Sequence, residues 1–117
     1  MTTELRFRVM LTMQIKSGME EEFERTWLQI GDGVTSHPAS LGQWLSRSCD
    51  EGGIYYIVSD WLDEPSFREF ETSKRHLLHR QQLHPFRSGG TMTTAHVVAH
   101  LPAAATSETH LQWEAML

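Results

Sequence analysis

The stretch Ile54-Tyr55-Tyr56-Ile57-Val58 decides the fold, because every one of its positions is apolar or aromatic. A strand of this kind needs cover on both faces, so we expect it in the middle of a sheet that carries helices on one face. The turn-forming run Asp50-Glu51-Gly52-Gly53 predicts a hairpin that joins a strand near Ser40–Ser48 to a strand at Ile54–Trp61. In a chain of 117 residues, the other face of the sheet is most simply covered by another copy of the chain. We therefore predict a homodimer.

The segment before this hairpin predicts one strand and one helix. Apolar residues alternate with polar ones at Phe7, Val9, Leu11, Met13 and Ile15, which is the period of a half-buried strand. Ser17 and Glu20 have the spacing of a capping box at a helix start. Met19, Phe23, Trp27 and Ile30 then follow at helical spacing and should face the core. Gly31 and Gly33 are expected to end this helix.

The segment after the hairpin predicts a helical region that can be read in two ways. Asp63-Glu64-Pro65 begins it, and Phe67 and Phe70 should point inward. One unbroken helix to Leu83 would turn Leu77 and Leu78 inward and His76 to solvent. A break at Thr72-Ser73, with Ser73 capping a new helix from Lys74, would instead turn His76, His79 or Arg80 inward.

The last predicted element is a strand at Met92–His100, after Pro85 and Gly89-Gly90. The order is then βαββαβ, a ferredoxin-like α+β domain over residues 1–100 with a tail over 101–117. The tail carries four large apolar residues: Leu111, Trp113, Met116 and Leu117. We expect these to pack, with the partner subunit as one candidate surface, and a mobile terminus is the alternative.

Composition excludes several classes of function. The chain is 39% hydrophobic and 21% charged, has a net charge of −5, and contains no run of Lys or Arg, which argues against nucleic-acid binding. Cys49 is the only cysteine, so no internal disulfide is possible and a reducing compartment is expected. The charged N-terminus does not resemble a signal peptide, and no window approaches the roughly 18 apolar residues of a membrane span. We expect a cytoplasmic protein without a membrane partner.

Four stretches carry a resemblance to a known family. They are HPASLGQWLSRS (37–48), YYIVSDW (55–61), FREFE (67–71) and HRQQLHPFR (79–87). This pattern resembles the antibiotic biosynthesis monooxygenase superfamily, and within it the small proteins of aromatic polyketide and spore-pigment clusters in actinomycetes. The similarity covers about residues 5 to 100.

The resemblance implies a dimeric α+β barrel in which each subunit holds a pocket between its sheet and its helices. It further implies a cofactor-independent oxygenation of an aromatic polyketide by O2, in which a ring CH2 or a phenol becomes a quinone carbonyl. Some relatives on this fold are cyclases and others degrade haem.

The residues themselves are compatible with such chemistry. No GxGxxG motif follows a strand and no Walker loop is present, so no nucleotide cofactor is indicated. An electron-rich phenol needs only a modest base, a dry pocket and a cation or donor for the developing oxyanion. His76 and His79 lie one helical turn apart and are the candidate catalytic bases, with solvated helix residues as the alternative. No third ligand of the HExxH type follows, so we predict no metal site.

Candidate substrate contacts come from both strands and helices. Trp61 is predicted to stack on the substrate or donate its N–H, and a core tryptophan with a satisfied N–H is the alternative. Trp44 and Arg47 should lie on opposite faces of their strand, so that one of them faces the pocket. Tyr55 and Tyr56 are neighbours in the next strand, and for the same reason only one of them should face the pocket. Either Arg47 or Arg80 would hold a phenolate, and an interface salt bridge with Glu or Asp is the alternative for Arg47. Two further aromatic contacts are predicted, Trp27 and Phe70, and a core position is the alternative for Trp27.

The predicted function is thus a cofactor-free monooxygenase that oxidises an aromatic polyketide to a quinone. A polyketide cyclase on the same fold is one alternative, and it would not consume O2. A non-catalytic accessory protein that binds and shields the polyketide is another, and single histidine substitutions would leave its function intact.

Overall fold

A computed structural model describes residues 5–104. Four strands form one antiparallel sheet in the order β2-β3-β1-β4. They are β1 (Phe7–Ile15), β2 (Ser40–Arg47), β3 (Ile54–Trp61) and β4 (Arg87–His96). This is the ferredoxin-like α+β order predicted from the sequence, and β3 lies inside the sheet as its apolar sequence indicated. The apolar tail residues 111–117 lie outside the described residues.

Strand alternation divides the sheet into a helix-covered face and an open face. Most odd-numbered residues of β1 and β3 are buried under the helices, Phe7, Val9, Tyr55, Ile57 and Trp61 among them. Cross-strand partners share a face, so the register assigns the other strands: Gln43 pairs with Ser59, and Trp44 pairs with Val58. Gln43 therefore faces the helices and Trp44 lies on the open face.

Two helices connect β1 to β2: α1 (Glu20–Ile30) and α2 (Asp32–Thr35). The predicted capping role of Ser17 is wrong, because the N-cap position is Met19 and has no side-chain cap. The Glu20 carboxylate instead accepts from the backbone N–H of Gly18, at 2.9 Å. Gly18 has a φ of +87°, which favours glycine. Gly31 follows the last residue of α1 as predicted, whereas Gly33 lies inside α2.

The second helical region is broken in the way that places the histidines inward. Helix α3 (Glu64–Glu71) begins after Asp63, whose carboxylate accepts from the Ser66 N–H at 2.8 Å. Helix α4 (Lys74–Leu83) begins after Ser73, whose hydroxyl accepts from the His76 backbone N–H at 3.3 Å. Of the two readings that the sequence allowed, the break at Thr72-Ser73 is the one observed, and Leu77 and Leu78 are exposed as a consequence.

The last strand differs from its prediction. A 3₁₀ turn (His84–Phe86) leads directly into β4, which starts at Arg87 and ends at His96 rather than spanning Met92–His100. Gly89 and Gly90 therefore lie inside the strand, opposite Gln14 and Met13 of β1. Close packing favours glycine at position 90, because a Cβ built there would be 3.0 Å from the Thr12 carbonyl oxygen and 3.0 Å from Nη2 of Arg87.

The core lies between the sheet and the helices, in two clusters on either side of a central cavity. One contains Phe7, Trp61, Phe67 and Phe70, and the other contains Met13, Phe23, Trp27, Tyr55 and Leu83. Within residues 5–104, no helix is both long and apolar enough to cross a membrane.

Candidate active site

A cavity of about 340 Å³ lies between the helix-covered face of the sheet and the helices. Its floor is mostly apolar and includes Val9, Leu11, Met13 and Ile57. Trp27 of α1 and Phe70 of α3, two candidate substrate contacts, line it. The aromatic and aliphatic walls suit a flat apolar ligand, so the polar groups that interrupt them determine the chemistry.

His76 and His79 line this cavity from α4. The Ser73 cap sets the helical phase that turns both inward. The His76 ring lies 4.9 Å from the Phe70 ring and 6.3 Å from the His79 ring, centroid to centroid, and the two imidazoles are nearly parallel at 15°. The Nδ1 atoms of both rings are buried and have no hydrogen-bond partner among residues 5–104. The pair predicted from its spacing is therefore brought together at the cavity.

Burial keeps both imidazoles neutral at neutral pH. The pKa of His76 is lowered by burial first and then by the charges of His79 and Arg80, with Glu71 acting in the opposite direction. The pKa of His79 is lowered by burial, against a raising effect from a hydrogen bond with the Ile30 backbone. A neutral imidazole can accept a proton, so either ring has the protonation state that a general base requires.

Trp61 lines the cavity, but its N–H is already engaged. The side chain is 1% exposed, and Nε1–H donates to the Ser59 hydroxyl at 3.0 Å. Its ring centroid lies 4.9 Å from that of Phe70 and 5.5 Å from that of His37. Trp61 can therefore offer a ligand its ring, whereas its N–H reaches a ligand only through Ser59.

Two cations line the cavity without a carboxylate partner among residues 5–104. One is Arg80, predicted from the sequence, and the other is Arg87, which the sequence analysis missed. Glu71 also lines the cavity, but Arg68 donates to its carboxylate at 3.2 Å. The cavity therefore has an excess of positive charge available to an anionic ligand.

Three predicted substrate contacts lie away from this cavity. Trp44 and Tyr56 are on the open face, where they are 52% and 44% exposed, because Tyr56 is an even-numbered residue of β3 and Trp44 pairs with Val58, another one. Arg47 is on the helix-covered face but at the end of β2, where it is 69% exposed and donates to Glu24 at 3.4 Å. Tyr55 also donates to that carboxylate, so Arg47 belongs to a structural network beside α1.

Sequence reasoning also missed two polar residues of the cavity floor, Ser59 and Gln43. Ser59 lies two positions before Trp61, and strand alternation alone could have placed both on one face. Gln43 is adjacent to Ser59 only through the register of β2 against β3, for which a single sequence carries no signal.

The remaining histidines of the described chain occupy varied positions. His84 lines the cavity edge. The Nδ1 atom of His37 accepts from the Ala39 N–H at 3.1 Å, and the His96 ring packs on Phe7 at 5.5 Å between centroids. Among residues 5–104, no three His, Cys, Asp or Glu side chains converge in a way that could hold a metal ion.

Comparison with solved structures supports the fold. SnoaB from Streptomyces nogalater, described as a cofactor-independent oxygenase, superposes with a TM-score of 0.74 over 85% of this chain and 99% of SnoaB, at 18% identity. A conserved protein from Methanosarcina mazei gives a TM-score of 0.72 over 80% of this chain and 94% of that protein, at 15% identity. At such identities the similarity establishes the fold alone.

Comparison of sequences identifies the family. The protein SchA of Streptomyces halstedii is 27% identical over 84 residues, which are 72% of this chain and 22% of SchA. This chain thus spans about a fifth of the length of that relative. The sequence model of the family described as antibiotic biosynthesis monooxygenase matches residues 6–82, which is well over half of the chain. The chain belongs to the antibiotic biosynthesis monooxygenase family.

Proposed function

We propose that this chain is a cofactor-independent monooxygenase that oxidises a phenolic aromatic polyketide, converting a ring CH2 or phenol into a quinone carbonyl with O2. The observation that carries the proposal is an apolar cavity with two neutral, half-buried histidines on its wall. Family membership and the likeness to SnoaB support the same reaction class.

The cavity suits a fused aromatic ring system. Its volume of about 340 Å³ lies in the range of small-molecule sites. Trp27, Trp61 and Phe70 provide flat apolar walls. Aromatic rings pack on such side chains with offset or edge-to-face geometry, so a planar polyketide can be held without a charged anchor on every side.

His76 is the proposed base, and His79 is the proposed positioning residue. The Ile30 backbone raises the pKa of His79 against the lowering effect of burial, which indicates that it lies near that ring. No hydrogen bond joins either ring nitrogen of His76 to residues 5–104, and its backbone N–H is held by the Ser73 cap. An imidazole that is fixed in place but free at its ring nitrogens can accept a proton from the substrate.

Arg80 and Arg87 are the proposed cations for the resulting anion. Proton removal leaves a negative charge that spreads from the ring carbon to the phenolic or keto oxygens. An arginine beside that oxygen lowers the free energy of the anion in a water-poor site. Because Glu71 is already paired with Arg68, it does not cancel this effect.

The electrons for O2 reduction come from the substrate itself. After His76 takes one proton from the CH2 group, the carbanion reduces O2 and forms a C–O bond, which gives a hydroperoxide after protonation. Loss of the second C–H proton and cleavage of the O–O bond then yield the carbonyl and one water. One oxygen atom enters the product, the other leaves as water, and no external reductant is consumed.

The open face is the proposed contact with a second copy of the chain. Trp44 and Tyr56 are exposed there, next to the half-buried Val58 and Met10. Large apolar side chains grouped on one exposed sheet face are typical of an interface. A two-fold axis through this face would bury the same patch on both subunits.

An oxygen electrode tests the proposed reaction with dithranol, an anthrone whose two phenolic hydroxyls flank the carbonyl. We expect enzyme-dependent O2 uptake above the autoxidation rate, unchanged by a metal chelator and without added flavin. Enzyme-dependent ring closure of a polyketide without O2 uptake would instead establish a cyclase. Binding without any turnover would establish an accessory protein.

A further inference from the structure

Ser59 presents a buried hydroxyl whose proton has no acceptor among residues 5–104. The residue is 9% exposed and lines the cavity from β3. Its oxygen accepts from Nε1–H of Trp61 at 3.0 Å. A serine hydroxyl that accepts one hydrogen bond still has a proton to donate, and leaving it without an acceptor in a buried site is costly. A ligand oxygen in the cavity would satisfy it.

Gln43 lies beside Ser59 and presents a hydrogen-bond acceptor that complements the serine donor. It is the cross-strand partner of Ser59, on the same face, so the two Cβ atoms are roughly 4.5–5.5 Å apart. Its Nε2 donates to the Gly31 carbonyl at 3.1 Å. This bond fixes the orientation of the amide, because the flipped amide would place Oε1 against the carbonyl oxygen. Gln43 Oε1 is thereby left as an acceptor, with no donor among residues 5–104.

We infer that Ser59 and Gln43 form a subsite for two neighbouring substrate oxygens, a ring carbonyl and the phenolic hydroxyl next to it. Ser59 donates to the carbonyl oxygen, and Gln43 Oε1 accepts from the hydroxyl. This inference rests on the proposed function, since it specifies which aromatic substrates that cavity takes. It assigns the cavity a preference for hydroxy ketones over ring systems that lack the hydroxyl.

Trp61 acts in this subsite as a positioning residue. Its N–H occupies a lone pair of the Ser59 oxygen, which directs the serine proton elsewhere, towards the cavity. A hydroxyl that accepts one hydrogen bond becomes a stronger donor of the next. When the base removes a ring proton, the substrate carbonyl oxygen gains negative charge, and the bond from Ser59 strengthens with it.

Anaerobic binding separates this subsite from the oxygenation chemistry. Dithranol carries both the carbonyl and the neighbouring hydroxyls, whereas anthrone carries the carbonyl alone. Each probe is titrated without O2 into the full chain and into its variants, and quenching of tryptophan fluorescence is measured. We expect the unaltered chain to bind dithranol several-fold more tightly than anthrone.

The variants have distinct expected effects. Ser59→Ala weakens both probes roughly tenfold, because the carbonyl oxygen of each probe accepts a hydrogen bond from Ser59. Gln43→Met, of similar size, leaves anthrone binding nearly unchanged and abolishes the preference for dithranol. Trp61→Phe weakens both probes in the unaltered background. In the Ser59→Ala background it adds a smaller loss, because only the contribution of its ring to the cavity wall remains to be lost. Thermal melts establish that each variant is folded.

Each possible result decides the question. Unchanged binding of both probes to Ser59→Ala, or a retained dithranol preference in Gln43→Met, overturns the subsite. If the unaltered chain binds neither probe, the subsite and the proposed aromatic substrate fail together. If it binds and discriminates but consumes no O2 on aeration, the subsite stands and the oxygenase proposal fails.

Discussion

Replacement of the two cavity histidines, one at a time, tests how the proton is removed. Both rings line the same cavity and both have lowered pKa values, but only for His79 does a backbone group, that of Ile30, oppose the lowering of the pKa. We expect His76→Ala to reduce kcat by roughly 10²- to 10⁴-fold, the usual effect of removing a general base. That range corresponds to about 2.7–5.4 kcal/mol of transition-state stabilisation. We expect His79→Ala to reduce kcat by less than about tenfold.

The assay is initial-rate O2 uptake with dithranol at saturating concentration, after subtraction of autoxidation. His100→Ala is the matched control, because His100 is exposed and outside the cavity. A melt of each variant separates lost chemistry from lost structure. Anaerobic dithranol binding should remain within a few-fold in His76→Ala, since a base acts on the transition state rather than on binding.

Full turnover in both histidine variants would refute this reasoning. The base would then have to be sought at His84, which lines the cavity edge, or at His37 or His96. Equal and severe losses in both variants would refute the division of roles and indicate that the two imidazoles act as a unit.

Three further predictions test the pH dependence, the assembly and the helix break. The acidic limb of kcat/KM should lie below pH 6.5, because burial lowers the pKa of both His76 and His79. The free energy of unfolding should also fall as the pH drops from 6.5 towards those lower pKa values, since the unfolded chain then binds protons that the folded chain does not. The His76→Ala/His79→Ala double variant should flatten this pH dependence in melts. Light scattering at micromolar concentration should report twice the chain mass. Trp44→Asp should give a monomer, and the control Leu78→Asp, on the exposed side of α4, should remain a dimer. A monomeric parent chain would contradict the predicted interface. Ser73→Ala removes the α4 cap and should lower the free energy of unfolding by about 1 kcal/mol and the Tm by roughly 4 °C. An unchanged melt would mean that the cap does not stabilise the helix break.

Local signals in the sequence were sufficient for most of the fold. Alternation places β1 at Phe7–Ile15, and the apolar run places β3 inside the sheet. Ser73 has the side chain of an N-cap at the point where the helical pattern fails, so the break between α3 and α4 was predictable. The start of β4 was not, because Gly89-Gly90 indicates a loop locally. The close approach of the Thr12 carbonyl oxygen and the Arg87 side chain to Gly90, which favours glycine there, depends on the tertiary structure.

The candidate site was predictable where it depends on helical spacing and unpredictable where it depends on strand register. His76, His79 and Arg80 follow from one helix face. Ser59 and Gln43 become neighbours only when β2 pairs with β3 in the observed register. Trp44 and Arg47 were expected on opposite faces of β2, and they are. Neither reaches the cavity, because the helix-facing member lies at the strand end beside Glu24.

The fate of the two oxygen atoms of O2 tests the central claim most directly. In a single turnover under heavy-isotope O2, with a metal chelator present and no flavin added, mass spectrometry of the dithranol product reports the origin of the new carbonyl oxygen. The proposed monooxygenase predicts one heavy oxygen atom in that carbonyl and the other in water, at a rate well above that of His76→Ala. A new carbonyl oxygen that comes from solvent, or a labelled product formed equally fast without the enzyme, would contradict it.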